Sequence, residues 1–158
     1  MKILVAYFTA TGVTARIAKK LAAVTGAELY DISPALSYST RDLDWTNPQS
    51  RSSVEMQDKS FRPKLADQWA PVANADLIFI GFPVWWYREP SVIDSFLEAY
   101  DFTGKKIVPF VTSGGSEIGE EAPERIKEIS GAEVLPGKRF AADTHSEEIR
   151  EWAETITG

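Results

Sequence analysis

The sequence predicts an α/β fold, a doubly wound parallel sheet with helices on both faces, and three observations carry that prediction. Short, unbroken apolar runs such as Ile3-Leu4-Val5-Ala6-Tyr7 and Leu77-Ile78-Phe79-Ile80 suit strands buried on both faces, as parallel sheets require. Stretches with apolar residues at helical spacing separate these runs, so strands and helices alternate. Three strand ends then run into loops of unusual chemistry: rich in hydroxyls after the first strand, aromatic after the third, and rich in glycine and serine after the fourth. With 158 residues and 44% hydrophobic composition, the chain fits one domain spanning 1–158, large enough to bury a real core.

The first strand, Ile3 to Tyr7, leads through Phe8-Thr9-Ala10-Thr11-Gly12-Val13-Thr14 into a helix whose inner face carries Ile17, Leu21 and Val24. Thr25-Gly26 ends that helix. Ala27 to Asp31 reads as a second, more polar strand near an edge of the sheet. From Ser33 to Pro63 periodicity is lost except for a short helix around Ser50 to Asp58. So long an irregular connection is either functional or a cover for the domain.

Ala75 to Gly81 is the clearest central strand, and it breaks into Phe82-Pro83-Val84-Trp85-Trp86-Tyr87. A helix from Ser91 to Tyr100 buries Val92, Ile93, Phe96 and Leu97. Lys106 to Val111 forms the fourth strand and passes into Thr112-Ser113-Gly114-Gly115-Ser116-Glu117-Ile118-Gly119. Pro123 suits the first turn of the next helix, which runs to Ile129 with Glu124, Arg125, Lys127 and Glu128 on its wet side. Ala132 to Leu135 is a short fifth strand, resumed at Arg139-Phe140. Thr144 with Glu147 three residues on reads as a capping box for a last helix through Ile149, Trp152 and Ile156.

The formal charge of −6 argues against nucleic acid or an anionic membrane as a main partner, because both demand a basic surface. It suits a basic protein partner instead. Lys2 is followed by too short an apolar run for a secretory leader, and no run approaches membrane-spanning length, so a cytoplasmic protein is expected. The chain has no cysteine and one histidine, His145. That removes thiolate nucleophiles and thiolate zinc sites, and any redox chemistry must come from a bound cofactor.

Right-handed crossovers place the three unusual loops together at the carboxyl ends of the strands, where such sheets bind ligands. The first loop has one glycine and no lysine, so neither the Walker nor the dinucleotide motif fits. Its threonines and the amides at a helix start can hold one phosphate without a cationic side chain. A helix end contributes ~0.3–1 kcal/mol per favourable charge. The same threonines would also serve as plain helix caps. Trp85, Trp86 and Tyr87 can either pack under the following helix or cover a flat ring, a contact worth ~1–3 kcal/mol by analogy with base stacking. Residues 112–119 supply hydroxyls, amides and glycines that allow close backbone approach. Together the loops describe a mononucleotide with a large planar ring.

Thr9-Ala10-Thr11-Gly12-Val13-Thr14 resembles the phosphate loop of flavodoxins. Gly81-Phe82-Pro83-Val84-Trp85-Trp86 resembles their first ring-binding loop, and Thr112-Ser113-Gly114-Gly115-Ser116 the second. The likeness is nearest to short flavodoxin-like proteins of anaerobic bacteria, and Tyr100-Asp101-Phe102-Thr103-Gly104-Lys105 is similar to that subgroup's lead into strand four. The resemblance implies a five-stranded sheet of order 2-1-3-4-5 and FMN bound non-covalently. Its phosphate would sit on Thr9, Ala10, Thr11, Gly12, Val13 and Thr14. Its ring would lie between Pro83, Val84, Trp85, Trp86, Tyr87 and the later group Thr112, Ser113, Gly114, Gly115, Ser116 and Gly119.

The resemblance further implies an electron carrier served by a reductase and an acceptor protein. Two departures bear on affinity and potential: Val13 stands where many flavodoxins have Asn, and the second ring loop is not the acidic, Tyr-containing version. About 1.4 kcal/mol of differential binding between redox states moves a one-electron potential by roughly 60 mV. Glu89 and Glu117 would disfavour an anionic reduced ring if near it, and do little if solvated.

The rival reading is an NAD(P)H-dependent FMN oxidoreductase acting on quinones or other small acceptors. It would need a basic cluster for the nucleotide, for which Arg16, Arg41, Arg51 and Arg88 are candidates. A phosphorylated receiver domain is set aside, because Phe8-Thr9 and Phe82-Pro83 stand where it needs acidic residues.

Overall fold

The computed structural model describes residues 1–158. Its elements are β1 (Ile3–Tyr7), α1 (Val13–Thr25), β2 (Glu28–Asp31), α2 (Arg51–Gln57), β3 (Leu77–Pro83), α3 (Ser91–Ala99), β4 (Lys106–Thr112), α4 (Glu121–Ser130), β5 (Glu133–Val134), β6 (Lys138–Phe140) and α5 (Ser146–Thr157). All strand pairs are parallel, in the order β2-β1-β3-β4-β5, and β6 also pairs with β4.

The two-residue repeat of the central strands divides the core into two layers. Leu4, Ala6, Ile78, Ile80, Ile107 and Val111 face α3 and α4, packing against Val92, Phe96 and Ile126. Val5, Tyr7, Phe79, Val108 and Phe110 face α1 and α5, against Ile17, Leu21 and Ile149. Gly81 is where the second layer is tightest. A Cβ there would lie 2.1 Å from the Phe110 ring, so only glycine lets β3 and that ring occupy the same space.

β5 and β6 are two pieces of one edge. β4 pairs with β5 at Lys106 and Ile107 and with β6 from Phe110 onward. The gap falls at Pro109, which has no N–H to offer a neighbour. The order reverses between β1 and β3, and the loops after β1, β3 and β4 emerge there.

Three local expectations change. The capping box does not form: Thr144 is buried and its hydroxyl donates to the Ala141 carbonyl at 2.8 Å, while His145 occupies the N-cap position of α5 without a side-chain cap. Arg125 is not on the wet side of α4, because it reaches two buried carboxylates. β3 extends two residues past Gly81, so Phe82 and Pro83 still pair with Val111 and Thr112.

Candidate functional site

The loop after β1 is shaped by Gly12, whose φ of +96° lies in the left-handed region that glycine alone enters freely. The Gly12 N–H donates to the Thr9 hydroxyl at 3.0 Å, and no side chain caps α1. The alternative in which the threonines serve as helix caps is therefore not what the chain does. Thr14 is buried, and its hydroxyl is bonded to that of Thr112 at 2.8 Å. This bond ties the start of α1 to the end of β4, so the first and third loops share an anchor.

The loop after β3 is a tight turn. The Trp85 N–H donates to the Arg88 carbonyl at 3.0 Å, and the Arg88 N–H donates to the Trp85 carbonyl at 3.1 Å. Trp86 and Tyr87, the two central residues, have φ of +47° and +67°. Positive φ at both positions is the signature of a type I′ turn, normally made by Asn-Gly. Bulky aromatics there carry strain of about 1–3 kcal/mol each. Trp85 packs inward, edge-on to Phe8 at 5.6 Å and to Tyr38 at 5.3 Å. Trp86 and Tyr87 stay 41% and 79% exposed.

Directly behind this turn lies a buried ionic cluster. Arg88 is 2% exposed, and Glu89 and Asp94 are 0% exposed. The Arg88 guanidinium donates to the carbonyls of Glu89 at 3.0 Å and Met56 at 3.2 Å. Arg125 donates through Nε to Glu89 at 2.8 Å and through Nη2 to Asp94 at 2.7 Å. Burial, and then the neighbouring Asp94, push the Glu89 carboxyl up to about 8, against the pull of Arg125. That rise favours the neutral form of Glu89, and Asp94 lies 3.6 Å from the Arg88 guanidinium and 2.7 Å from that of Arg125. Glu89 is not solvated, and Arg88 is buried against Glu89 and Asp94. Arg51 is likewise committed, to Glu55 at 2.9 Å.

The glycine-rich loop after β4 is held from one side. Arg139 on β6 donates to the Ser113 hydroxyl and carbonyl, both at 3.0 Å. The Ser113 hydroxyl donates in turn to the Ser116 carbonyl. Gly114 and Gly115 are exposed, with open space where a side chain would stand. Glu117 is exposed and shows no tie to the aromatic turn.

These loops meet around a cavity of about 530 Å³. Of the residues expected at the site, Ala10, Thr11, Pro83, Val84, Trp85, Trp86, Tyr87 and Ser116 line it. Thr9 lies in an adjoining groove with Tyr38 and Asp31. Gly12 and Val13 begin α1 beside Thr11 without lining the cavity. Neither do Thr14, Thr112, Ser113, Gly114, Gly115 or Gly119. The sequence reading missed Leu43, Trp45 and Ser52, which the irregular 33–63 connection brings to the wall. It also missed Arg139.

A parallel sheet that reverses order at its centre, with a phosphate-sized loop, an aromatic turn and a glycine loop at that reversal, defines a doubly wound mononucleotide-type fold. The family model described as flavodoxin matches residues 2–156, and the chain belongs to the flavodoxin family. The chain is similar to a candidate flavoprotein from Bacteroides eggerthii, with 44% identity over 99% of this chain and 98% of that one and a TM-score of 0.91. A flavoprotein from Lactobacillus acidophilus, solved in complex with FMN, shares the fold at 22% identity over 96% of this chain and 98% of that one, with a TM-score of 0.69. A candidate quinone reductase from Klebsiella pneumoniae shares it at 18% identity over 99% of this chain and 85% of that one, with a TM-score of 0.55. No curated protein matches the sequence.

Proposed function

We propose that this chain binds FMN non-covalently and carries electrons between a reductase and an acceptor protein. The observation that carries this reading is the single cavity lined jointly by Thr11, the Trp85–Tyr87 turn and Ser116. The residues fit the group. An uncapped helix start beside Thr9 and Thr11 suits a phosphate. The apolar wall suits a flat ring, and Ser52 in that wall has a hydroxyl oxygen without a partner. The FMN complex of the Lactobacillus acidophilus relative supports the cofactor.

When bound, FMN supplies one- and two-electron transfer. The protein's part is to hold it and set its environment. Thr11 and the amides around Gly12 bind the phosphate end. Trp86 and Tyr87 cover the ring and exclude water from it. Residues 113–116 present backbone and hydroxyl groups to its edge.

The carrier is favoured over an NAD(P)H-dependent oxidoreductase because two of the four arginines that could serve a nucleotide, Arg51 and Arg88, are held in ion pairs. The test is to load the protein with FMN and add NADPH, then NADH, without oxygen. A carrier keeps its visible absorption until dithionite or a separate reductase bleaches it. Rapid bleaching by either nucleotide would make the protein an oxidoreductase with its own hydride donor.

A further inference from the structure

The connection from Ser33 to Pro63 belongs to none of the three strand-end loops, yet it supplies Leu43, Trp45 and Ser52 to the cavity wall. Ser52 differs from its neighbours. Its side chain is only 2% exposed, and its hydroxyl oxygen has no hydrogen-bond partner. The flanking serines are satisfied: Ser50 and Ser53 are bonded hydroxyl to hydroxyl at 2.9 Å, and Ser50 also caps α2. The Ser52 N–H donates to the Asp42 carbonyl at 3.0 Å, which fixes its backbone and leaves the hydroxyl unused. A buried hydroxyl without a partner destabilises the chain that carries it, so its retention in a cavity wall points to a ligand that satisfies it.

The position of Ser52 relative to the aromatic turn is fixed. Tyr38 packs edge-on against Trp85 and Phe8, and its hydroxyl donates to Glu55 on α2. Glu55 also accepts from Arg51 at 2.9 Å, and the Arg51 guanidinium lies 3.9 Å over the Tyr38 ring. Tyr38 thus links α2 to Trp85. The cavity wall that Ser52 shares is mostly apolar, with Leu43, Trp45, Val84, Trp85 and Trp86 in it, an environment that suits a ring.

We propose that, with FMN bound, the Ser52 hydroxyl turns from its buried position toward the cavity and hydrogen-bonds the polar edge of the isoalloxazine ring, so that the 33–63 connection is a fourth wall of the cofactor site. The inference rests on the FMN-binding reading above. A flavin's polar edge carries both donors and acceptors, and a serine hydroxyl can serve either.

Ser52→Ala tests it with FMN as the probe. Losing one neutral hydrogen bond is expected to raise the FMN dissociation constant about three- to tenfold and to shift the visible absorption of the bound flavin. The FMN-free variant should melt at the same temperature as the parent or higher, because the unsatisfied oxygen is gone. Ser52→Cys, which keeps a weak donor, should fall between the two in affinity. An unchanged dissociation constant and spectrum in Ser52→Ala would overturn the inference while leaving FMN binding intact. A lower melting temperature of the FMN-free variant would also overturn it, by making Ser52 a packing residue. A parent protein that binds no FMN would overturn both this inference and the function it rests on.

Discussion

The Trp85–Arg88 turn and the Ser113–Gly119 loop leave adjacent strands, β3 and β4, whose last residues Pro83 and Thr112 are paired. The first is short, aromatic and left-handed at two bulky residues, and a buried set of two arginines and two carboxylates sits directly behind it. The second is open and glycine-rich, tethered through Ser113 to the single side chain of Arg139. Strain persists only where the surroundings over-determine it, and the ionic cluster supplies that over-determination for the turn. The glycine loop carries no such strain and has no such support. One side of the cavity is therefore a strained turn braced by buried ion pairs, and the other an open loop held through Ser113.

Removing the anchor on each side is the strongest way to break this comparison. Arg88→Ala leaves Glu89 and Asp94 short of a partner inside the protein, and breaking such a cluster costs about 3–5 kcal/mol. Arg139→Ala removes two hydrogen bonds from a charged donor, a loss of about 1–3 kcal/mol at most, in a loop that can reach solvent. Denaturant midpoints of the two variants should differ in that order. Equal losses would show that the turn is no better anchored than the loop.

A pH series sharpens the same point. Glu89 holds its proton up to about 8 in the folded chain against an ordinary value of 4.5. The folded state therefore binds more protons than the unfolded state across that window. Stability falls as pH rises from about 4.5 to 8, and the contribution is fully present below it. Glu89→Gln imitates the neutral form and should flatten this slope. Denaturation midpoints measured at several pH values check it, and an unchanged slope would place the titration elsewhere.

The smallest effect is expected at Tyr87. Asn tolerates the left-handed region far better than a bulky aromatic does, and Tyr87 is mostly exposed, so Tyr87→Asn gives up little packing. It should raise the stability of the FMN-free protein by about 1 kcal/mol and weaken FMN binding. A drop in stability would mean that the turn is not strained.

The sheet was legible in the sequence because its central strands β1, β3 and β4 carry unbroken apolar runs and the longer helices α1, α3 and α5 carry their own periodicity. The strand-end loops were legible for a related reason: unusual chemistry, such as Trp85-Trp86-Tyr87, stood where a strand stopped. Pairings between distant segments were not. Nothing local tells Thr14 that Thr112 will meet it 98 residues away, or Arg125 that Glu89 and Asp94 lie within reach. Thr144 reads as a cap by spacing, yet its hydroxyl finds the Ala141 carbonyl first. Ser52 was invisible because the 33–63 connection lacks periodicity, and its place depends on Tyr38 docking against Trp85. The aromatics Tyr38 and Trp45 in that irregular stretch were the available signal.

The central claim is that three strand-end loops and α2 form one flavin site, and titration of FMN into the FMN-free protein tests it most directly. On the proposed placement of the ring against Trp86 and Tyr87, flavin fluorescence should be quenched to saturation at one FMN per chain, and Trp86→Ala should reduce both the quenching and the affinity. Fluorescence that stays at the level of free FMN throughout the titration would contradict the account.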